Sequence, residues 1–316
     1  MCTYNGSRFL PEQLESIAIQ TRPPDELVVC DDDSTDRSAE IVSQISRRVP
    51  FPVRLVVNAH TVGSTRNFER VISLCQKQII ALADQDDVWY PHKLERLERA
   101  FRSSGTVAAF SDADVIDVDS KPLNLRLWAS FAFGAGEQRR FLAGDAISVL
   151  ARHPVVTGAA MAFRREFFDT LVPIPEEDIH DRWMSFLLAA CGPFQLISEP
   201  LMQYRRHARQ QIGLGASTLR DRLARARNTG PQLYREEIER FNRLRERLTR
   251  HPTLAYQERA LAEVSNKISH LEHRIQLRRM TVARIPRVVR EVCNRGYWRY
   301  GAGWESVAKD LFLYGQ

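Results

Sequence analysis

A short apolar segment that ends in three carboxylates is the feature that constrains this chain most. Ile79–Ala83 is apolar, and Asp84, Asp86 and Asp87 follow it with no basic residue in the run. Carboxylates this close repel one another, and a hard divalent cation with oxygen ligands relieves such repulsion. An acidic turn that caps the next helix, with Asp87 as the N-cap, is the alternative. The run alone leaves both interpretations open.

A second acidic cluster follows an earlier apolar segment. Glu26–Cys30 has the pattern of a buried parallel strand, and Asp31–Asp36 comes directly after it. In open α/β sheets ligands bind outside the carboxyl ends of the strands, so we expect both clusters to face one crevice. Part of the second cluster also suits a helix cap, at Ser34 or Asp36.

Strands alternate with helices through this part of the chain. The spacing of apolar residues predicts a helix over residues 11–20, a strand over residues 53–57 and a helix over residues 64–76. Such alternation is typical of an α/β domain with a parallel sheet.

The composition is that of a globular protein able to bury a large core. The chain has 316 residues, of which 44% are hydrophobic and 27% charged. It contains no long apolar run and no signal-peptide pattern, so we expect a cytoplasmic protein. Its five cysteines lack metal-ligand spacing, which favours reduced thiols.

Charge is unevenly distributed along the chain. The first 216 residues carry a net negative charge, and the last hundred are strongly basic. Because the change falls near Gly213–Gly215, we predict a catalytic domain over residues 1–215 and a basic helical extension over residues 216–316.

The extension predicts two amphipathic helices, separated at His251 and Pro252. Apolar residues recur at helical spacing in both, at Ile238, Phe241, Leu244 and Leu248 and then at Leu261, Val264, Ile268, Leu271 and Ile275. Such helices form a hairpin that packs on itself, on the catalytic domain or on a second subunit of a homodimer.

Beyond this hairpin, arginines interleave with apolar residues. They are Arg278, Arg279, Arg284, Arg287, Arg290, Arg295 and Arg299, among Val282, Ile285, Val288, Val289, Trp298 and Trp304. This pattern predicts a basic surface for anionic lipid head groups, hence a peripheral contact at the inner face of the cell membrane. No motif supports a nucleic-acid partner.

Five stretches together resemble a known family. They are Thr3–Gly6, Asp31–Asp36, Asp84–Trp89, His180–Trp183 and Tyr204–His207. Their order and spacing are similar to those of the nucleotide-sugar glycosyltransferases with the GT-A fold, specifically the inverting family 2 and its rhamnosyltransferase-like members. The resemblance implies a Rossmann-like, mostly parallel sheet flanked by helices, followed here by the helical extension.

One departure from the family concerns the start of the chain. Members place a hydrophobic strand before the Thr-Tyr-Asn loop, whereas this sequence opens at Met1 with that strand apparently missing. Its loss would leave neighbouring ladder groups and apolar surface unpaired. We therefore expect a start codon that was assigned too late or a chain that was cut.

The resemblance implies a nucleotide site at the first loop and the first acidic cluster. Thr3 and Asp32 should contact the nucleotide, with Asp31 nearby, since a carboxylate accepts from the N3–H of a pyrimidine. Tyr4 belongs to the same loop, and its ring is equally suited to core packing.

The resemblance also implies the metal and its role. Asp84 and Asp86 match the Asp-x-Asp motif, which holds Mg²⁺ or Mn²⁺ on the donor diphosphate and offsets the charge of the leaving group. Asp86 is the expected direct ligand, while Asp84 binds the metal, its water or the ribose.

An inverting transfer needs a base, and the resemblance places it at the start of a helix. Asp181 occupies that place, with Asp178 as the second candidate. Either acid could instead cap the helix. His180 is expected on the acceptor side, as an orienting or purely structural residue.

Two further stretches have implied roles. Arg206 and His207 match a segment that folds over the diphosphate, where they can donate to phosphoryl oxygens and His207 can also ligate the metal. A solvated basic loop is the alternative. Gly158 falls on the acceptor side, and residues 120–156 are the expected acceptor loop.

The implied function is transfer of a sugar from a nucleotide-diphosphate donor to a hydroxyl of a glycan or lipid-linked glycan in cell-surface polysaccharide synthesis. A dTDP-rhamnose donor is an analogy at the level of the family. Two alternatives remain. One is a non-catalytic scaffold inactivated by the missing strand, and the other is a haloacid-dehalogenase-type phosphohydrolase with Asp31 as nucleophile and Asp33 as acid/base.

Overall fold

The structure is a computed structural model that describes residues 1–103, 105–207, 231–277 and 284–313. The chain divides into two compact units. The first comprises Met1–Gly144 and Val155–Gly213, and the second comprises Asp145–Pro154 and Leu214–Gln316. The domain boundary predicted at residue 215 lies outside the described residues.

The first unit contains all the strands of the described chain. They are β1 (Cys2–Thr3), β2 (Leu27–Asp31), β3 (Val53–Val57), β4 (Ile79–Ala81), β5 (Val88–Trp89), β6 (Ala108–Ile116), β7 (Pro122–Arg126), β8 (Met161–Arg164) and β9 (Phe194–Arg205). Its helices are α1 (Leu10–Ala18), α2 (Ser38–Ile45), α3 (Ser64–Leu74), α4 (Lys93–Ala100), α5 (Leu127–Ser130), α6 (Ala135–Arg140), α8 (Phe168–Leu171) and α9 (His180–Cys191).

The first sheet is parallel and has the order β1-β2-β3. In it, Cys2 and Thr3 pair with Cys30 and Asp31, and the ammonium group of Met1 donates to the carbonyl oxygen of Val28 at 2.8 Å. The strand β1 thus consists of two residues, which place the first loop directly beside the end of β2.

The second sheet is mixed and has the order β4-β8-β6-β9-β5, with β7 on β6. Only β6 and β9 run parallel, and the other pairs are antiparallel. The mostly parallel pairing that the family resemblance implied is therefore found in the first sheet. The second sheet is mostly antiparallel and includes the hairpin of β6 and β7, which antiparallel pairing permits.

The acidic run lies between two strands of this second sheet. Residues 82–87 leave β4 and enter β5, whose partner β9 ends at Arg205. The helix α4 packs on the second sheet through Leu97 and the adjoining Phe101, which contact Ala109, Ala162 and Leu201. An aromatic cluster centred on Phe110 fills the interior near β6. The run is therefore held at both ends by a packed core.

The second unit is helical in its described residues. It contains α7 (Ala146–Arg152), α10 (Pro231–Arg250), α11 (Gln257–Leu277), α12 (Arg284–Cys293), α13 (Gly296–Tyr300) and α14 (Trp304–Ala308). The chain leaves the helical state between α10 and α11 around Pro252, and these two helices pack against each other. None of the described helices is long and apolar enough to cross a membrane.

Polar side chains are also buried along α11, which the apolar spacing did not predict. Glu263, Lys267, His270 and Arg274 recur at steps of four, three and four residues and are all buried. Leu277 packs with Val288, Tyr297 and Val307 of the later helices. The helices after α11 are therefore attached to it through both polar and apolar contacts.

Candidate active site

The first loop is fixed to the first acidic cluster by hydrogen bonds. The hydroxyl of Thr3 donates to Asp31 at 2.6 Å, and the backbone N–H and hydroxyl of Ser34 donate to the same carboxylate at 2.8 and 2.7 Å. Asn5 accepts from the N–H of Thr35 at 2.9 Å. Because Thr3 and Asp31 are buried and bonded to each other, they hold the loop in place.

The burial of Asp31 also argues against the phosphohydrolase alternative. A phosphorylated nucleophile must be reached by substrate, whereas Asp31 is 1% exposed. The neighbouring Asp33 is exposed and adopts a left-handed φ of 63°, as a turn residue does.

Asp32 anchors the loop that leads into α3. Its carboxylate accepts from the side chain of Asn58 at 2.6 Å and from the backbone N–H groups of Val62 and Gly63 at 2.8 and 2.9 Å. Two carboxylate oxygens offer about four acceptor positions, so three bonds leave room for one further donor.

Gln85 joins the first loop to the acidic run. Its side chain accepts from the N–H of Tyr4 at 2.8 Å and donates to the carbonyl of Tyr4 at 3.1 Å. A Cβ at Gly6 would lie 2.1 Å from Oε1 of Gln85, so glycine is needed for this approach. The ring of Tyr4 remains 50% exposed. Gln85 thus links the acidic run to the loop beside the first cluster, although the two clusters follow strands of different sheets.

Three acids of the run converge on one point. Asp84, Asp86 and Asp87 each direct a carboxylate oxygen into a group whose members lie within 4.8 Å of one another. Burial, followed by repulsion from Asp86 and Asp181, raises the pKa of Asp84 to about 7. Burial and then repulsion from Asp86 and Asp84 raise the pKa of Asp87 well above its ordinary value. Three acids are therefore held close together although burial and mutual repulsion disfavour their ionised forms.

This arrangement suits a hard divalent cation. Asp87 is buried, and its Oδ2 atom has no hydrogen-bond partner among the described residues, although its Oδ1 accepts from the N–H of Arg205 at 3.1 Å. A buried carboxylate oxygen without a donor is costly. Clustered carboxylates are the donor set that Mg²⁺ and Mn²⁺ prefer. Asp87 thus joins Asp84 and Asp86 as a candidate ligand.

Arg205 is a buried support for the acidic run that the sequence did not single out. Its guanidinium donates to the carbonyl of Asp86 at 2.7 Å, to the hydroxyl of Ser120 at 2.8 Å and to Glu12 at 2.5 Å. It also lies over the ring of Phe9. One side chain therefore ties the run to α1 and to the turn between β6 and β7.

Of the two residues expected at the diphosphate, His207 reaches the acids. Its Nε2 lies 2.8 Å from Oδ2 of Asp86, and its ring contacts Phe9. Arg206 is half-buried, and its backbone N–H donates to Ile116 at 2.9 Å. The rest of the predicted segment, from Ala208 to Gln210, lies outside the described residues.

Asp181 lies in the first turn of α9 and holds a second loop. Its carboxylate accepts from the N–H of Gly158 at 2.9 Å. The helix begins at His180 with Ile179 as its N-cap residue, and no side chain caps it. Asp178, the alternative base or cap, is buried and accepts from the N–H of Ile179 at 3.1 Å.

His180 and Gly158 lie together, as the family resemblance implied for the acceptor side. The ring of His180 stacks on Phe68 with 3.8 Å between centroids. A Cβ at Gly158 would lie 2.7 Å from Nε2 of His180 and 3.3 Å from Cβ of Asp181. Burial lowers the pKa of His180, while the neighbouring Asp181 opposes this shift.

Asp181 and the acids of the run shift the pKa values of the same neighbouring groups. Asp181 contributes to the raised pKa of Asp84, and burial together with Asp87, Asp84, Asp86 and Asp181 raises the pKa of the Tyr204 phenol. A candidate base thus lies close to a candidate cation site, which is the arrangement that group transfer from a diphosphate requires.

Gln85, Lys93 and Arg205 are the residues that sequence reasoning missed. Each stands beside a recognised motif, yet its contacts come from residues far away in the chain. The sequence did contain an indication that Lys93 is buried, because it lies four residues before Leu97 on the interior side of α4. Its position and contacts are described below.

Residues 1–172 match the family model described as glycosyl transferase family 2. An uncharacterized glycosyltransferase of Nostoc sp. is 27% identical over 232 residues, which are 71% of this chain and 68% of that protein. The dTDP-rhamnosyl transferase RfbG of Shigella flexneri is 24% identical over 251 residues, or 75% and 82% of the two chains.

The fold is similar to that of a solved glycosyltransferase. The crystal structure of S. aureus TarS 1–349 in complex with UDP-GlcNAc superposes with a TM-score of 0.58 at 14% identity, covering 99% of this chain and 87% of that chain. At this identity the likeness shows the fold alone, which is of the GT-A type with a helical C-terminal extension.

Proposed function

The chain belongs to glycosyl transferase family 2, and from this we propose an inverting, cation-dependent sugar transfer from a nucleoside-diphosphate donor to a hydroxyl. One observation carries the proposal. The buried, unpartnered oxygen of Asp87 lies among three clustered acids, and Asp181 is close enough to raise the pKa of one of them.

The acidic run would hold the cation and with it the donor diphosphate. We assign Asp84, Asp86 and Asp87 as ligands, with Mg²⁺ or Mn²⁺ as the metal. When bound, the cation offsets the charge that develops on the leaving nucleoside diphosphate. Because His207 already lies 2.8 Å from Asp86, it is placed beside this charge as a donor to phosphoryl oxygens, with Arg206 next to it.

The nucleoside would lie against the first loop. The exposed ring of Tyr4 and the remaining acceptor position of Asp32 are the groups proposed to contact it. Thr3 and Asp31, which the resemblance placed in contact with the nucleotide, are proposed to support that loop instead, because both are buried and hydrogen-bonded to each other.

Asp181 is proposed as the general base. An inverting transfer needs a carboxylate that takes the acceptor proton as the hydroxyl attacks the anomeric carbon. One oxygen of Asp181 accepts from Gly158, which fixes the orientation of the carboxylate. Gly158 and His180 are proposed to form the wall beside it, where the absence of a Cβ lets Gly158 pack directly against His180 and Asp181.

The acceptor is proposed to be a glycan or lipid-linked glycan. Relatives include the dTDP-rhamnosyl transferase of Shigella flexneri and an Escherichia coli glucosyltransferase named for a diphosphoundecaprenol acceptor, 30% identical over 95 residues. We propose dTDP-rhamnose as the first donor to test and cell-surface polysaccharide synthesis as the setting.

A peripheral membrane contact through the second unit is part of the proposal. The apolar side chains of Ile285, Val289 and Trp304 are 64%, 53% and 68% exposed. Arg287, Arg290 and Arg295 are exposed near them in the sequence, which suits an anionic lipid surface. Arg299 is also exposed, although its guanidinium pairs with the buried Glu263.

The other predicted members of this basic surface divide into two groups. Val288 is buried in the helical core. Arg278, Arg279 and Val282, and the side chain of Arg284, lie outside the described part of the chain. The homodimer stays a prediction.

A double Arg287→Glu, Arg290→Glu variant should bind anionic liposomes more weakly than the native chain in a sedimentation assay at low salt.

Donor binding in Mn²⁺ tests the enzymatic proposal. A nucleotide sugar that is the true donor should raise the melting temperature progressively as its concentration rises above its Kd, and Asp86→Ala should abolish this shift. Asp25→Ala is the matched control, since it removes an exposed acid that pairs with Arg22. Release of nucleoside diphosphate separates an enzyme from a scaffold. A full Mn²⁺-dependent shift in Asp86→Ala would contradict the metal assignment.

A further inference from the structure

Lys93 stands in a place that is unfavourable for a lysine in two respects. It is 0% exposed, so its ammonium group has been removed from water, and it begins α4. A positive charge at the first residue of a helix opposes the helix dipole, and burying a charge without a partner is costly. Such a residue persists only if its surroundings compensate for the cost.

The compensation comes from three contacts and two charges. Nζ donates to the carbonyl of Ala159 at 2.5 Å, lies 3.2 Å from Sδ of Met202 and stands 4.1 Å above the Trp89 ring. Burial lowers the pKa of Lys93 to about 7, while the charges of Asp87 and Asp84 oppose this shift. Because Trp89 follows Asp87 by two residues, the ammonium group over its ring lies beside the strand that the acidic run enters.

The contact with Ala159 connects Lys93 to the candidate base. Ala159 lies in the 3-10 turn Gly158–Ala160. The preceding residue of that turn, Gly158, donates its N–H to Asp181 at 2.9 Å and leaves no space for a Cβ against His180 and Asp181. A three-residue turn is thus held by Lys93 on one side and by Asp181 on the other.

We propose that Lys93 is a positioning residue for sugar transfer, which fixes the Gly158–Ala160 turn against the carboxylate of Asp181 and offsets part of the charge of the acidic run. This role rests on the proposed function of Asp181 as base. Lys93 touches neither donor nor acceptor in this scheme, and it acts through the turn and through its charge.

Two measurable consequences follow from loss of the ammonium group. The turn loses its hydrogen bond, so the base is held less accurately and kcat should fall by roughly 10- to 100-fold, with the KM for donor little changed. The acidic run loses its nearby positive charge, so Mn²⁺ should bind more tightly, by more than about fivefold. A residue that only stabilised the fold would change neither quantity in this way.

Lys93→Met tests the proposal because it keeps an unbranched side chain that is only one atom shorter and removes the donor and the charge. Lys267→Met is the matched control, since Lys267 is also buried and donates to a backbone carbonyl, that of Tyr300 at 3.0 Å, in the helical unit. Mn²⁺ binding is measured by titration calorimetry without donor, and kcat and KM are measured by release of nucleoside diphosphate.

Lys93→Met should show tighter Mn²⁺ binding together with a lower kcat, while Lys267→Met keeps native values of both. Lys93→Gln retains an N–H donor without charge, and we expect tighter Mn²⁺ binding with a smaller loss of kcat. Native kcat in Lys93→Met, or failure of both Lys93 variants to fold, would overturn the positioning role. Absence of transfer by the native chain would count against the proposed function, and the Mn²⁺ comparison would still report on the charge.

Discussion

The two units of this protein both bury charged side chains, but they pair them in opposite ways. In the helical unit, the guanidinium of Arg274 donates to both oxygens of Asp310 at 2.8 and 2.9 Å, and the hydroxyl of Tyr297 donates to the same carboxylate at 2.9 Å. In the first unit, the carboxylates of Asp84, Asp86 and Asp87 lie together, with Nε2 of His207 2.8 Å from Asp86. The ammonium group of Lys93 donates to a backbone carbonyl and not to these acids, so the described residues hold no Arg–carboxylate pair here like the one between Arg274 and Asp310.

This difference separates a structural use of charge from a functional one. A buried ion pair with all hydrogen bonds made is tolerated in a folded protein, although it adds little stability. Like charges that raise one another's pKa oppose folding, and groups perturbed in this way cluster at functional sites. The pattern of pairing therefore points to the acidic run as the site where a ligand is expected.

The largest effect that the comparison predicts concerns the structural pair. Asp310→Ala leaves the buried guanidinium of Arg274 without its carboxylate, so the free energy of unfolding should fall by about 3–5 kcal/mol. Urea denaturation followed by circular dichroism measures it. Glu246→Ala, which removes an exposed ion pair with Arg250 in the same unit, should cost less than about 1 kcal/mol. Equal costs would break the comparison.

The second prediction concerns the candidate base. Asp181→Asn keeps the shape of the side chain and still lets its oxygen accept from Gly158, yet it can no longer take a proton. We expect donor binding in Mn²⁺ to stay near native while the transfer rate falls by roughly 100-fold or more. The assay pairs donor-dependent thermal shift with single-turnover kinetics. A variant that loses donor affinity and transfers at the native rate would make Asp181 a structural residue.

Much of this site could be predicted from the sequence because its parts are local. The acidic run, the first acidic cluster and the start of α9 each form one continuous stretch at the end of an element. Their periodicity and composition located the elements closely, and the strand predicted over residues 53–57 has the same limits in the structure.

The supports of the site could not be predicted because their partners are distant in the chain. Arg205 reaches Glu12 and Lys93 reaches Ala159, and no local pattern records either contact. The family pattern drew attention to Arg206 and His207, whereas the adjacent Arg205 is the buried one. Likewise, apolar spacing predicted α11 as an amphipathic helix but could not show that Glu263, Lys267 and His270 would be buried with partners.

A third prediction asks whether the acidic run binds a divalent cation. Burial and the neighbouring acids raise the pKa of Asp84 to about 7, and a carboxylate must be ionised to ligate a metal. Mn²⁺ affinity should therefore increase up to about tenfold per pH unit below pH 7 and level off above it. Calorimetry in two buffers of different ionisation enthalpy measures the released proton.

Asp84→Asn is the control for this pH dependence. The variant should bind Mn²⁺ more weakly and lose the part of the slope near pH 7 that Asp84 contributes, while Asp87, whose pKa is also raised, keeps the rest. An affinity of the native chain that does not change across this interval would show that Asp84 is ionised without the metal, and it would remove the main contrast between the two units.

The smallest effect concerns Asp36, an acid of the first cluster that is paired as completely as those of the helical unit. Burial raises its pKa, but donors outweigh burial and lower the pKa from 3.8 to about 2; they are the hydroxyl and N–H of Ser38 at 2.5 and 2.9 Å and the N–H of Ser7 at 2.9 Å. A depressed pKa stabilises the fold above the unfolded pKa, and this stability is lost as the pH falls through the folded value. Because Asp36 is partly exposed, we expect Asp36→Asn to cost only about 1 kcal/mol at pH 7, with roughly half of that difference gone at pH 3.

Urea denaturation at the two pH values tests this, with the exposed Asp119→Asn as a control that should change stability by less than about 0.5 kcal/mol. A cost that is the same at both pH values would mean that the fold does not favour the ionised form of Asp36. The contrast between acids that are fully hydrogen-bonded, such as Asp36, and the acids proposed as metal ligands would then fail.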